Sequence, residues 1–374
     1  MDNFHQCPHS SQKFLRVDSR FALPHGIDSI ATPGYSYRTH DPNTERRTAV
    51  TTRSRFEMGS LRAMKSRSNR EDPRRMKMPR RWSWRQRIKN WLLYFLMRGG
   101  SAAAERLPIR GLLRLLGRLA PYLFHREARR AQAQITTTLP HLDAARTTRR
   151  MFAHFAESIW ELCRLRKSVP SLDGDARRIL DEVLAERKGA VVISGHIGNW
   201  EILGQAIAAA GYPIATIAKP SYDPRVTAWL NEWRTRRGLQ IVWREGNSGK
   251  AILRLLRNNS LMAFLIDQDT ETAGEYVPFF GRPAFTPTTP AALALRTGAP
   301  VIFCWHHRRG KLHKITFERI RYVQTGDNKR DILALTTVLS TRLEAAIRAV
   351  PEQWVWMHKR WRRFSRKYVL DTPA

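Results

Sequence analysis

From residue 189 onward, short apolar runs alternate with longer amphipathic segments. Short apolar runs rich in β-branched residues predict buried strands, and the segments between them predict helices. Repeated strand–helix units predict an α/β fold with a mostly parallel central sheet flanked by helices. The predicted strands are Ala190–Ile193, Pro213–Ala218, Gln240–Trp243, Leu261–Asp267, Val301–Trp305 and Lys314–Glu318, and the predicted helices are Trp200–Ala210, Pro224–Arg237, Lys250–Arg257, Thr289–Thr297 and Asp331–Val350.

The chain before residue 80 has no hydrophobic periodicity and is rich in Ser, Arg, Pro and Thr. This composition predicts a disordered basic extension over residues 1–80. No apolar region follows a basic start, so we expect no secretory signal. An alternative is an internal start at Met76 or Met78, which begin a basic segment ahead of apolar residues.

The segment from 110 to 124 predicts an N-terminal amphipathic helix. Its leucines fall on one helical face and its arginines on the other, a pattern typical of helices at a membrane interface. A core-packing helix with a basic solvent face has the same pattern. Neither this segment nor the apolar run 91–97 approaches the ~20 apolar residues needed to span a bilayer, so we expect peripheral or monotopic attachment. The leucines are Leu112, Leu113, Leu115, Leu116 and Leu119, and the arginines are Arg110, Arg114 and Arg118.

The region that follows, residues 126–185, is predicted to form polar helices. Its apolar residues form one stripe, made of Phe152, Phe155, Ile159 and Leu162.

The charge balance indicates a polyanionic partner. Lys and Arg number 65 against 32 Asp and Glu, a formal net charge of +33. Nucleic acid, an anionic membrane surface or a phosphorylated substrate fits such a charge. The 12 tryptophans, many beside basic residues, suit both a membrane interface and base stacking. No zinc finger, basic zipper or RNP-type pattern supports a specific nucleic-acid partner, and three separated cysteines favour a reducing cytoplasmic location.

The segment 194–201 carries the strongest candidate chemistry. His196 follows a predicted strand, and Asn199 is placed to cap the helix that begins at Trp200. Ligands of open α/β sheets bind at this carboxyl edge. We therefore expect His196 to act as general base and Glu201, one turn into the helix, to hold its tautomer. The backbone N–H groups of Gly198 and Asn199 are expected to stabilise an oxyanion, and a bulky substitution at Gly198 to block turnover without unfolding.

Three other groups of residues are candidates for substrate binding, each with a plainer alternative. Asp267-Gln268-Asp269 ends a strand and either orients a substrate or forms a turn. Phe280-Gly281-Arg282 lies in a predicted loop, either lining an apolar groove that reaches a phosphate or simply packed. Arg234, Arg236 and Arg237 either clamp a phosphate or form a solvent-exposed helix face. The histidines His306, His307 and His313 flank a turn without a carboxylate pattern, and we expect no metal site.

Five motifs in order resemble one known family. They are His196–Glu201, Asp267–Asp269, Val277–Gly281 with Ala284 and Thr286, Gly298–Val301, and Pro351–Trp361. Together they resemble the bacterial lipid A biosynthesis (lauroyl/myristoyl) acyltransferases, within the glycerolipid acyltransferase superfamily that carries a His-x4-Asp/Glu signature. The resemblance implies an acyltransferase domain over residues 85–364, with His196 as catalytic base and Glu201 as its partner. The expected substrate-binding residues are Gly198, Asn199, Trp200, Arg237, Asp267, Gln268, Asp269, Phe280, Gly281 and Arg282.

The resemblance further implies transfer of a fatty acyl chain from an acyl thioester to a hydroxyl of a phosphorylated glycolipid, such as a lipid A precursor. Acyl carrier protein or coenzyme A would carry the chain, so no cofactor beyond this co-substrate is expected. The implied location is the cytoplasmic face of the bacterial inner membrane, in contact with anionic lipid. Alternative acceptors are a lysophospholipid, a phosphatidylinositol mannoside or an ornithine lipid, and the alternative classes are a nucleic-acid-binding protein and an inactive scaffold.

Overall fold

A computed structural model describes residues 83–363 except 165–168, 222, 245–247 and 311. The predicted basic extension over 1–80, with Met76 and Met78, lies outside the described residues. The described chain begins with a helical layer and continues as strand–helix units. The helices of the first layer are α1 (Trp84–Arg106), α2 (Arg110–Leu123), α3 (His125–Thr138), α4 (Ala144–Arg164) and α5 (Gly174–Ala185).

A six-stranded sheet forms the centre of the fold and confirms the predicted mixed α/β class. Its strand order is β3-β2-β4-β1-β7-β8, and the described pairs are parallel except that β8 runs antiparallel to β7. The strands are β1 (Ala190–Ser194), β2 (Ile214–Ala218), β3 (Gln240–Trp243), β4 (Leu261–Leu265), β7 (Val301–Arg309) and β8 (Leu312–Ile320). The helices that follow or connect them are α6 (Trp200–Ala209), α7 (Pro224–Thr235), α8 (Ser248–Arg257), α9 (Thr289–Thr297) and α10 (Asn328–Ala349), with a short 3₁₀ turn at Pro351–Gln353.

Strand β1 lies at the middle of the sheet and is buried on both faces. Val191 and Ile193 pack into one hydrophobic core, whereas Val192 packs into the core on the opposite face. Alternation of side chains along a strand accounts for this division. The apolar character of its first four positions, 190–193, is therefore explained by helices on both sides of the sheet.

The register between β1 and β4 determines which residues lie beside His196. Ser194 is the parallel partner of Leu265, and both strands end there. His196 and Asp267 each follow two residues later, on neighbouring strands. The carboxyl ends of adjacent parallel strands meet at one edge, so the two side chains are brought together.

The predicted loop 277–286 is instead a second, two-stranded antiparallel sheet. Its strands are β5 (Gly274–Phe279) and β6 (Arg282–Pro287). Phe280 and Gly281 connect them with φ angles of 53° and 71°. Positive φ at both central positions is the geometry of a tight type I′ hairpin turn, so the motif forms a hairpin and not an irregular loop.

Helix α4 buries a polar face where the sequence predicted an apolar stripe. Phe152 is buried, but Ile159 is 50% exposed, and Glu157 and Glu161 point inward. The inward carboxylates meet arginines: Arg308 from β7 donates to Glu161 through Nε at 2.6 Å and Nη2 at 3.0 Å. Ion pairing with these arginines makes the charged face the buried one.

Helix α2 likewise turns charged residues toward the protein. Arg110 and Arg114 form ion pairs with Glu157 of α4, whereas Leu112, Leu115, Leu116 and Leu119 are 51–53% exposed. Gly117 allows the close approach, since a Cβ there would lie 2.7 Å from the Cα of Ala153. Two of the arginines thus face the protein and these leucines face outward, which contradicts the alternative of a core-packing helix with a basic solvent face. No helix in the described part of the chain is long and apolar enough to cross a bilayer.

Candidate active site

His196 and Asp267 form the central pair of the site. His196 Nδ1 lies 2.8 Å from Asp267 Oδ1, and Asp267 is completely buried while 16% of the His196 side chain is exposed. Burial by itself would raise the pKa of Asp267, but the interactions with His196, His358 and Trp354 hold it below its ordinary value. Because the carboxylate is ionised, it accepts a hydrogen bond from the Nδ1–H group. His196 Nε2 therefore carries the lone pair and is available as a base.

Two further donors fix the Asp267 carboxylate. The backbone N–H of His196 donates to Oδ2 at 2.6 Å, and the indole Nε1–H of Trp354 donates to the same oxygen at 2.8 Å. A buried carboxylate needs such partners to remain charged. Trp354 comes from the segment after the 3₁₀ turn, which pairs with Ile197 in an isolated antiparallel bridge. The site is therefore built from three distant parts of the chain.

Glu201 does not hold His196, contrary to the sequence-based expectation. It forms a bidentate ion pair with Arg234 of α7, in which Arg234 Nε lies 3.0 Å from Oε2 and Nη2 contacts Oε1. Burial of Arg234 opposes its charge, but Glu201 more than compensates and raises the pKa of this arginine. Asp267 takes the position beside His196 because the sheet register puts it there. Arg234 thus contacts the glutamate of the His-x4-Glu motif, and Arg237, the arginine chosen from the sequence, lies beyond the end of α7.

The two expected backbone oxyanion donors are already engaged. The N–H of Gly198 donates to the carbonyl of Gln353 at 2.8 Å, and the N–H of Asn199 donates to His306 Nδ1 at 2.9 Å. A Cβ at Gly198 would lie 2.1 Å from the carbonyl oxygen of His306, at a φ of +59°. A larger side chain at Gly198 therefore requires the His306 backbone to move, which argues against the expectation that a bulky variant stays folded.

Asn199 is structural. Its Oδ1 accepts from the N–H of Ile202 at 3.3 Å, which confirms the predicted helix cap, and its Nδ2 donates to Glu161 at 2.9 Å. The residue is 3% exposed. Asn199 therefore joins the start of α6 to α4, and its amide is occupied by protein groups instead of facing a substrate.

His196 is surrounded by three side chains on its accessible side. Trp200 contacts it edge to face, with ring centroids 4.8 Å apart, and the ring of His358 lies 4.9 Å away. Gln268 Nε2 lies 3.1 Å from His196 Nε2 and 3.1 Å from His358 Nε2. The structure thus brings Trp200 and Gln268, two predicted substrate-binding residues, to the imidazole of His196.

His358 was not among the residues singled out for chemistry. Its signal in the sequence was membership of the Pro351–Trp361 motif. Burial lowers its pKa to about 4, with a further contribution from His196 and an opposing one from Asp267. Helix α3 fixes its backbone, since Gln134 Nε2 donates to the His358 carbonyl at 2.9 Å and Arg130 donates to the Met357 carbonyl at 3.0 Å.

The remaining predicted binding residues have other contacts. Asp269 pairs with Arg363, whose backbone N–H and Nε lie 2.9 Å and 3.1 Å from its carboxylate oxygens. Phe280 is 6% exposed, and Arg348 of α10 lies 4.6 Å from its ring centroid. Arg282 lies over the ring of Trp361 at 5.4 Å. Asp269 therefore anchors the end of the described chain, and the Phe280–Arg282 turn packs against α10 and Trp361.

The histidine cluster near β7 is part of a buried hydrogen-bond chain. His306 accepts from Asn199 through Nδ1, and its Nε2 lies 2.9 Å from His313 Nδ1. Burial holds the pKa of His306 well below its ordinary value, with Arg308 contributing. Among the described residues, no group of three His, Cys, Asp or Glu side chains is arranged to hold a metal ion.

Comparisons with known proteins give one family and consistent relatives. The family model for bacterial lipid A biosynthesis acyltransferase matches residues 79–363. A phosphatidylinositol mannoside acyltransferase of Mycobacterium tuberculosis (strain CDC 1551 / Oshkosh) is 27% identical over 187 residues, which is 49% of this chain and 57% of the relative. The protein of the same name from Mycolicibacterium smegmatis is 25% identical over 179 residues, 46% of this chain and 57% of the relative. The chain thus spans little more than half the length of these curated relatives.

Proposed function

The chain belongs to an acyltransferase family, that of bacterial lipid A biosynthesis, and on that premise we propose that it transfers a fatty acyl chain from a thioester to a glycolipid hydroxyl. The observation that carries the proposal is the His196 pair: Nδ1 is held by the buried Asp267, and Nε2 lies at the sheet edge, where its neighbour is the uncharged Gln268 amide. A base so oriented removes a proton from a hydroxyl without a covalent intermediate on the protein.

The reaction proceeds by addition and elimination. The acceptor hydroxyl gives its proton to His196 Nε2 while its oxygen bonds to the thioester carbonyl carbon, and the carbonyl oxygen becomes an oxyanion. Asp267 stabilises the imidazolium that forms. The C–S bond then breaks, the proton returns from Nε2 to the departing sulfur, and the products are an ester and a free thiol of acyl carrier protein or coenzyme A.

Two acceptor classes deserve direct comparison. The family's description supports a phosphorylated glycolipid such as a lipid A precursor. The names of the relatives support a phosphatidylinositol mannoside. Both are glycolipids with a sugar hydroxyl and a phosphate, so the high positive charge of the chain suits either.

A matrix of donors and acceptors tests the proposal. The purified full chain is incubated with palmitoyl-coenzyme A or palmitoyl-acyl carrier protein and with a lipid A precursor, a phosphatidylinositol mannoside or a lysophospholipid, and products are identified by mass spectrometry. We expect a new ester on one glycolipid and loss of that product in His196→Ala. Transfer only to the lysophospholipid, or equal transfer by the His196 variant, contradicts the proposal.

The same proposal includes peripheral attachment to a membrane through α1 and α2. Apolar side chains of α1 at positions 84, 88, 91, 92 and 95 are at least half exposed, and their spacing puts them along one side of the helix. The exposed leucines of α2 extend the apolar surface, and Arg118 beside them is exposed as well. An apolar stripe with adjacent positive charge suits the anionic cytoplasmic face of a bacterial inner membrane.

Vesicle sedimentation tests this attachment. Leu115→Glu combined with Leu119→Glu is expected to abolish binding to vesicles containing anionic phospholipid, because the carboxylates would enter the apolar layer. Val323→Glu is the matched control, since Val323 is 84% exposed and lies outside both helices. Unchanged binding by the double leucine variant, or equal loss in the control, rules out attachment by this face.

A further inference from the structure

The oxyanion of the proposed reaction needs hydrogen-bond donors near His196 Nε2. Stabilisation of such an oxyanion is often the largest single contribution to acyl transfer. The N–H groups of Gly198 and Asn199 are bonded to Gln353 and His306, and those contacts build the fold of the loop. The donors must therefore come from another part of the site.

Gln268 and His358 stand where such donors are needed. Gln268 directly follows Asp267, so the β1–β4 register that places Asp267 also places the amide beside His196. Its Nε2 lies within 3.1–3.4 Å of both nitrogens of His196 and both nitrogens of His358. One amide –NH2 group thus lies between the two rings, within hydrogen-bond distance of the nitrogen proposed as the base.

The protonation state of His358 suits the role of neutral donor. Its lowered pKa keeps the ring neutral at physiological pH. A neutral imidazole has one N–H and one acceptor nitrogen. It therefore offers a hydrogen bond without a second full positive charge beside the imidazolium that forms on His196.

We propose that the side-chain amide of Gln268 and the imidazole N–H of His358 together bind the oxyanion that forms on the thioester carbonyl. This inference rests on the proposed acyl transfer. In the structure, the Gln268 amide contacts the two rings. When substrate is present, its N–H groups turn to the carbonyl oxygen, which frees His196 Nε2 for the acceptor hydroxyl.

The surrounding contacts hold His358 in place for this task. Gln134 of α3 binds the carbonyls of Trp356 and His358. Arg360, two residues later, is fully buried and donates to Thr286 Oγ1 at 2.6 Å. Donors fixed before the reaction stabilise the transition state without reorganisation, and this is the physical reason for anchoring the segment at both ends.

Thiol release from palmitoyl-coenzyme A, measured with and without glycolipid, tests the assignment. Both transfer to a hydroxyl and hydrolysis by water pass through the same oxyanion. His358→Phe keeps a planar ring but has no N–H, and we expect it to lower kcat for both reactions by about 10²-fold, with KM for the thioester unchanged. His358→Gln supplies an amide donor and is the matched control, expected to recover most of the loss.

Gln268→Leu is a second variant, used if the unfolding midpoint shows that His358→Phe does not fold. We expect it to lower both rates similarly.

The outcomes separate this inference from the function on which it rests. A folded His358→Phe with wild-type rates overturns the inference alone. A loss confined to glycolipid transfer, with hydrolysis intact, also overturns it, because His358 would then position the acceptor. Absence of thiol release and of acylated lipid with the wild-type protein overturns the proposed function together with the inference.

Discussion

Two regions of this protein bury carboxylates, and they do so for different ends. At the sheet edge, Asp267 accepts hydrogen bonds from His196 and Trp354, and the second imidazole nitrogen of His196 lies beside the Gln268 amide. In the helical layer, Glu157 and Glu161 of α4 are enclosed by arginines. The first arrangement keeps a reactive group available, whereas the second neutralises charge and fixes helix orientation. The role of a buried carboxylate, functional or structural, can therefore be inferred only from the group with which it pairs.

The largest effect expected at the sheet edge is from Asp267→Asn. The amide cannot accept from Nδ1 as a carboxylate does, so we expect kcat for acyl transfer to fall about 10³-fold or more. Glu201→Gln instead acts through Arg234 and is expected to lower the unfolding midpoint as well as activity. The measurements are steady-state kinetics and thermal unfolding of both variants. An active Asp267→Asn beside a stable but inactive Glu201→Gln would return Glu201 to the role of His196 partner.

Gly198→Ala tests the steric basis of the loop between β1 and α6. We expect a loss of about 3 kcal/mol in the free energy of unfolding, from left-handed backbone strain and overlap with His306. Gly211→Ala is the matched control, since Gly211 also has a positive φ, 94°, but no atom lies within 4 Å of its Cβ position. Its expected cost is about 1 kcal/mol. Urea unfolding followed by tryptophan fluorescence measures both, and equal costs would remove the steric explanation.

Glu157→Gln tests the helical layer. The substitution leaves Arg110 and Arg114 without their carboxylate, and we expect a loss of about 2 kcal/mol, reduced from the fully buried case because both arginines are partly exposed. Leu116→Ser on the outer face of α2 is the control, with a change within about 0.5 kcal/mol. If the leucine substitution costs more in urea unfolding than the glutamate substitution, α2 packs with its leucines inward.

The smallest effect expected is a pH dependence shared by the two regions. Burial lowers the pKa of His154 in the helical layer to about 3 and that of His358 at the sheet edge to about 4, from 6.5. The unfolded chain therefore binds more protons at mildly acidic pH, so stability is complete above 6.5 and declines as the pH falls toward 4. Between pH 7 and 5.5 we expect a loss of about 1 kcal/mol for each histidine.

Urea midpoints at the two pH values measure this loss in His154→Gln and His358→Gln. Each variant is expected to show a smaller decline than the wild type. His141→Gln, at an exposed position, is expected to leave the decline unchanged. A decline that neither buried-site variant reduces would assign the pH dependence to other groups.

The alternation of strands and helices could be predicted from the sequence because it depends on short patterns of neighbouring residues. β1 is an apolar β-branched run, and the side chain of Asn199 caps α6 as predicted. His196 was identified for the same reason, since the eight-residue segment 194–201 is enough to show a histidine between two glycines at the end of a strand. The sequence did not predict which face of α2 and α4 packs against the protein, because an amphipathic pattern is the same whichever face turns inward.

The sequence by itself determined the strands of the central sheet, its mostly parallel class and the place of His196 at a strand's carboxyl end, because these follow from short-range hydrophobic patterns. Only the tertiary structure decided that Asp267 holds His196, that Arg234 holds Glu201 and that His358 faces the base. The partners of a buried charge come from strand order and register, which join residues 71 positions apart. Spacing along the chain favoured the nearer carboxylate, whereas the geometry of neighbouring strands put the farther one in contact.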